Sequence, residues 1–388
     1  MTKKIHVPTL LGLFLLARVL LYLALPLDEL HGYGDFVTFF SVAQIPGWPY
    51  LNYWVEFPPL FPFLSETLFR ISGGQQHVYT YLLIFVLLLA DAGNLYFFQR
   101  LAGHFWKDEE LSFRVLFYLI ILIALPYGWW YFDSLAVFFL LAGLTYAVEN
   151  RPARAGVLWG IGALVKFFPL IGLAALWRGR DFRRLIRAAI FSIGILGIGL
   201  FAFWLISPQY TRASLISQSS KGSWETVWAL IDGNRSTGNF GDLVQRLDPA
   251  LASRPVGDPA RISPWMTLPI FVGLGLFFLF RSKPSLHRPL AATGLAMCLF
   301  FLWSAGWSVQ WVAYLIPIFL LGLEKRNAAL LSATFALINV LEWPVLLSRG
   351  LFSLLPVTVL TRTLLLILAA VLFVGQLNTE RPIEDMDL

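Results

Sequence analysis

Gly156–Trp177 reads GVLWGIGALVKFFPLIGLAALW, with Arg151 and Arg154 before it and Arg178, Arg180, Arg183, Arg184 and Arg187 after it. The stretch is long enough to cross a membrane, since a spanning helix needs about 20 apolar residues. A single crossing would put one of the two basic clusters on the outer side, against the tendency of Lys and Arg to stay in the cytoplasm. Lys166 and Pro169 also sit at its middle. Proline breaks the helical hydrogen-bond ladder, and a lysine at the bilayer centre is costly. A broken hairpin that enters and leaves on the cytoplasmic side removes both objections. Each arm of about ten residues rises only ~15 Å, half the hydrocarbon core. Irregular backbone at that depth is tolerated where it lines a cavity in the protein.

The rest of the chain agrees. Of 388 residues, 58% are hydrophobic and 13% charged, with a mean hydropathy of +0.70. A soluble domain carries about 25% charged residues, so this chain uses lipid as a solvent. The reading is an all-α polytopic membrane protein of about ten full spans plus the broken hairpin 156–177, forming a single transmembrane domain over residues 1–388. Full crossings are expected at Val7–Leu27, Val78–Leu101, Leu111–Tyr127, Ser134–Val148, Ala188–Ile206, Trp265–Phe280, Pro289–Trp303, Trp311–Leu323, Ala328–Leu347 and Leu354–Leu377. Arg18 interrupts the first apolar run and no small-residue cleavage site follows, so it does not read as a cleaved signal peptide. With both termini cytoplasmic, 18 of the 29 Lys and Arg fall on the inner side, as the positive-inside rule asks. Two outer loops follow, 28–77 and 207–264, and an acidic tail, 379–388. The expected location is a bacterial plasma membrane. The positive charge needs no nucleic acid to explain it. The long apolar runs exclude disorder and a secreted enzyme, and Cys298, the one cysteine, leaves no disulfide scaffold.

Chemistry concentrates in the outer loops. The first holds Asp28, Glu29, Asp35, Glu56 and Glu66 against one base, Arg70, among many Tyr, Trp and Pro residues. Aromatic rings near carboxylates suit a sugar, although an interfacial aromatic belt has the same composition. Asp35 stands out between Gly34 and Phe36. Desolvation there raises a carboxyl pKa and makes a general base. Lys166 tops the hairpin and lifts an ammonium toward an outer cavity, or else pairs with an acid. In the second loop, Trp224-Glu225-Thr226-Val227-Trp228 has the aromatic spacing of a short amphipathic helix lying on the membrane. Turn residues follow from Asp232 through Arg235 to Asn239. Glu225 and Arg235 are candidate contacts to acceptor or phosphate. Arg18 and Asp91 sit at equal depth in the first two spans and are expected to pair; Glu342 with Arg362 could do the same or could line the lipid groove. The five histidines show no ligand spacing, and no phosphate-binding glycine loop or dinucleotide fingerprint is present. Neither a metal nor a cofactor is therefore expected.

Tyr33-Gly34-Asp35-Phe36, Trp48-Pro49-Tyr50 and Glu56-Phe57-Pro58-Pro59-Leu60 resemble the first outer loop of GT-C fold glycosyltransferases. They are most similar to glycosyltransferase family 87, the polyprenyl-phosphate-mannose-dependent mannosyltransferases, which often have Tyr where Phe57 stands. Trp130-Tyr131-Phe132-Asp133-Ser134-Leu135, Leu164-Val165-Lys166-Phe167-Phe168-Pro169 and Trp307-Ser308-Val309-Gln310-Trp311 resemble later motifs of that family, in order. The resemblance implies inverting transfer of a hexose, mannose in the family, from a polyprenyl-phosphate donor to a glycan or glycolipid acceptor of the cell envelope. Asp35 would be the base and Lys166 the cation for the donor phosphate. Tyr33, Glu56, Asp133 and Gln310 would hold substrate. A multispan transporter or lipid-linked-sugar flippase is the rival, and a lipid-linked oligosaccharide ligase or polymerase is a third reading. Only one broken helix and no matching second half are visible, which counts against a transporter.

Overall fold

The computed structural model describes residues 6–177, 182–238, 241–254, 256–283, 285 and 287–378, so the acidic tail 379–388 lies outside the described residues. The regular secondary structure of the described residues is helical, and the all-α multi-span bundle expected from the sequence is the architecture found. Six helices are long and apolar enough to cross a membrane: Val7–Ala24, Gln76–Ala102, Arg183–Ile206, Pro264–Arg281, Lys325–Arg349 and Phe352–Asn378. Four of the other expected crossings are shorter helices: Asp108–Ala124, Asp133–Val148, Arg288–Trp303 and Val312–Gly322. The length of Asp133–Val148 has a plain reason. Its 16 residues span about 24 Å, less than the hydrocarbon core, but Ala136, Leu140, Leu141 and Leu144 are all fully buried. This helix meets protein on every side rather than lipid. Arg183–Ile206 and Pro264–Arg281 are the opposite case, with Ile198, Ile206, Trp265 and Met266 among their many exposed apolar residues.

In lipid, helices associate through close approach of small residues rather than through water exclusion. Pro152–Val165 does this. A Cβ on Gly156 would lie 2.3 Å from the Ala188 carbonyl oxygen, so the backbones of two helices touch there.

Pro152–Val165 ends at Lys166, which is extended (φ −160°, ψ 141°), and a 3₁₀ segment, Phe168–Leu176, follows. The proline explains the break, because a helix continued through Pro169 would drive its ring into the Val165 carbonyl. The two arms then run antiparallel. A Cβ on Gly162 would lie 2.9 Å from Pro169, and one on Gly172 would lie 2.4 Å from Trp159. Lys166 is the apex of this fold-back.

The expected Arg18–Asp91 pair is present, and Glu342 and Arg362, whose role the sequence left open, pair as well. Arg18 Nη2 lies 3.2 Å from Asp91 Oδ2, and Arg362 Nη1 lies 2.5 Å from Glu342 Oε1. One expectation fails. Trp224–Trp228 is not a single amphipathic helix on the membrane. Trp224 is extended and bridges Gly306, its N–H donating to the Ala305 carbonyl at 3.2 Å. Glu225 has φ 52°, and a helix starts only at Val227, where Thr226 Oγ1 accepts from Ala229 N–H. The backbone of Ala305–Trp307, some 80 residues away, holds Trp224 extended instead.

Candidate active site

The two long loops fold onto each other. Trp54 N–H donates to the Arg246 carbonyl at 3.0 Å, and Trp54 Nε1–H donates to the carbonyls of Gln245 and Asp248. Next to this seam Glu56 is buried between two cations. Arg246 donates Nη2–H to Oε1 at 2.9 Å and Nη1–H to Oε2, and Lys221 Nζ lies 3.5 Å from Oε1. These charges hold the Glu56 carboxyl below its usual range despite its burial. Glu56, expected to hold substrate, is thus placed in the clamp between the loops. Arg246 and Lys221 escaped notice in the sequence because nothing local distinguishes them from other loop cations. Loop one holds five acids and one base, whereas loop two holds six bases and five acids; the acid excess of loop one was the available signal that it needs cations from elsewhere.

Asp35 lies immediately before the short helix Phe36–Ala43, with its N–H donating to the Trp130 carbonyl at 3.1 Å. A Cβ on Gly34 would sit 2.5 Å from that same carbonyl oxygen, so only glycine lets the chain approach here. Part of the Asp35 surface is open, but protein crowds its carboxyl. Burial pushes the carboxyl up to about 7. Lys166 and Lys221 pull it down, and Asp133 and Glu56 push it up. Asp35, Asp133, Glu56, Lys166 and Lys221 therefore form one electrostatic group.

Lys166 Nζ lies 2.6 Å from Asp133 Oδ1, and its side chain is only 12% exposed. The rings of Phe132, Phe168 and Trp311 surround the ammonium, their centroids 5.1, 5.5 and 5.7 Å away. Such rings favour a cation electrostatically. Tyr314 donates its hydroxyl to Asp133 Oδ1 at 3.0 Å, while Asp133 Oδ2 is buried with no hydrogen-bond partner.

An open cavity of about 500 Å³ lies between Phe36–Ala43 and loop two. Val37, Thr38 and Ser41 line one wall, and Lys221, Trp224 and Thr237 line the other.

The remaining candidates sit apart. Tyr33 is half exposed, its ring edge-on to Trp130 and Trp343 at 6.0 and 5.8 Å. Gln310 is half-buried in the turn Val309–Trp311. Glu225 is buried against the Glu342–Arg362 pair, where Arg362 donates to its carbonyl. Burial and the Glu342 carboxylate push its own carboxyl well above the usual range. Arg235 is exposed. Among the described residues no group of three or more His, Cys, Asp or Glu is arranged to hold a metal ion.

A family model described as glycosyltransferase family 87 matches residues 57–305. The chain belongs to glycosyltransferase family 87. The family expected from the sequence motifs is the family found. The matched residues take in Asp133, Lys166, Glu225 and Arg235; Tyr33, Asp35, Glu56 and Gln310 lie outside them. Comparison with curated proteins gives no match. Among solved structures, the Archaeoglobus fulgidus oligosaccharyltransferase in its apo form is similar at a TM-score of 0.45 and 13% identity. The match covers 98% of this chain and 57% of that one. So loose a likeness does not identify an activity.

Proposed function

We propose that this family 87 protein transfers a hexose, mannose by family resemblance, from a polyprenyl-phosphate donor to a hydroxyl of a glycan or glycolipid, on the outer face of the membrane. The observation that carries the reading is Asp35: a carboxyl brought to about 7 that feels the charges of Lys166 and Asp133 and immediately precedes the helix walling an open cavity between the loops. A general base works best with a pKa near the operating pH.

Asp35 takes the proton of the acceptor hydroxyl as its oxygen attacks C1. The C1–O bond to phosphate breaks in line, and the anomeric centre inverts. The phosphate leaves with the bonding pair as a dianion and needs cationic stabilisation rather than a proton. Lys166 supplies one positive charge. Asp133 keeps that ammonium in place. Both loops lie on the outer side in this reading, where no nucleotide sugar is at hand, so the donor brings its own leaving group.

Membranes containing the protein, given radiolabelled hexose on a polyprenyl phosphate, should yield a labelled product of inverted anomeric configuration. Lys166→Met should lower transfer at least about tenfold, because a lost hydrogen bond to a charged group is worth about that much. Movement of intact lipid-linked sugar across the bilayer, with no new glycosidic bond, would instead establish the flippase.

A further inference from the structure

One oxygen of Asp133 accepts from two donors. Lys166 Nζ lies 2.6 Å from Oδ1, and the hydroxyl of Tyr314 donates to the same Oδ1 at 3.0 Å. The two donors differ in freedom. Lys166 carries its ammonium on a long stem at the apex of the fold-back, and its side chain is 12% exposed. Tyr314 is fully buried on the helix Val312–Gly322, and its ring packs edge-on against Phe168 at 4.9 Å. Phe168 in turn faces the ammonium at 5.5 Å. The hydroxyl is therefore fixed by packing, whereas the ammonium has room to turn.

The proposed reaction asks two things of Lys166. At rest it balances Asp133, and during transfer it must turn its charge to the leaving phosphate. Turning away leaves Asp133, itself 1% exposed, as a buried carboxylate without its cation, and such a charge is strongly unfavourable. A fixed donor on the same oxygen lowers that cost, because a hydrogen bond to an ionised acceptor is about twice as strong as one between neutral groups. Tyr314 is that donor. It approaches from a different helix than the lysine, so it stays in place when the lysine moves.

We infer that Tyr314 is a positioning residue of this site: its hydroxyl holds Asp133 as an anion while Lys166 gives its charge to the phosphate of the lipid donor. It acts through Asp133 rather than on substrate. The inference rests on the proposed transfer reaction for its place in catalysis, but it is read first by binding of a lipid phosphate. A tyrosine that only fills space against Phe168 would serve as well without its hydroxyl, and that difference is measurable.

The test uses the full chain purified in detergent, with farnesyl phosphate as the charged probe and farnesol as the uncharged control. Tyr314→Phe keeps the ring and deletes the hydroxyl. It should weaken farnesyl phosphate about tenfold, the lower end for a lost hydrogen bond to a charged group, and leave farnesol unchanged. In an Asp133→Asn background no carboxylate needs the hydroxyl, so the same substitution should change farnesyl phosphate binding by less than about twofold. Lys166→Met is the second background should Asp133→Asn not fold, with the same expectation, because no ammonium is then left to turn. Equal losses in the parent and in the background, or a loss shared by farnesol, assign Tyr314 to packing and overturn the inference. So does unchanged farnesyl phosphate binding by Tyr314→Phe, or a parent chain that does not bind this probe. A parent chain that transfers no sugar, while the loss in Tyr314→Phe still depends on Asp133, overturns the proposed reaction and leaves the positioning role standing.

Discussion

Two buried ion pairs in this molecule look alike in the sequence and differ in their setting. Arg18 and Asp91 meet at 3.2 Å with both side chains sealed. The arginine also donates to the Leu122 carbonyl and lies over the Trp129 ring, and Asn94 donates to Asp91 Oδ1 at 3.2 Å. Lys166 and Asp133 meet more closely, at 2.6 Å, yet the lysine is partly open and a third acid, Asp35, stands close by at an elevated pKa. A sealed pair with helper hydrogen bonds holds helices together. A partly open pair that shares its field with a third acid is equipped to exchange partners. Burial of charge alone does not separate the two, whereas access and the third acid do.

This contrast can be broken experimentally. The largest effect is expected for Asp35→Asn, which keeps the shape but removes proton acceptance. Turnover should fall about 10²- to 10⁴-fold, with the thermal midpoint no lower than the parent's, because an uncharged amide no longer requires a buried carboxylate. Retained turnover would remove Asp35 from the chemistry. Arg18→Met should show the reverse pattern. Breaking a buried pair leaves an uncompensated charge and costs about 3–5 kcal/mol of stability, read as a lowered midpoint in detergent. The protein that stays folded should keep its turnover. Loss of turnover at unchanged stability would place Arg18 in the reaction and erase the distinction drawn between the pairs.

The smallest effect is expected for Arg235→Ala. This exposed side chain lies outside the Asp35–Lys166–Lys221 group, so kcat/KM should change by less than about twofold, in line with weakly held surface charges. A tenfold drop would show that loop two closes over substrate and brings Arg235 in.

The sequence showed the bundle, the hairpin break at Lys166 and the Arg18–Asp91 partnership, because each rests on a local pattern. Apolar length marks a span, Pro169 marks a break, and equal depth in adjacent spans marks a pair. The desolvated setting of Asp35 was legible for a similar reason, as a carboxyl among apolar neighbours. The Glu56 clamp was not. Its partner Arg246 lies 190 residues away, and no periodicity links two loops that meet only after the helices between them have packed. Trp224–Trp228 failed for the same cause, a long-range strand-like bridge to Gly306 that overrode helical spacing.

The pH dependence of kcat/KM bears most directly on the claim that Asp35 is the base. A base with a pKa of about 7 is idle when protonated. The rate should rise tenfold per pH unit up to about pH 7 and level off above it, and the residual activity of Asp35→Asn should lack that acid limb. A limb centred near the ordinary carboxyl range, or one that survives unchanged in Asp35→Asn, would contradict the account.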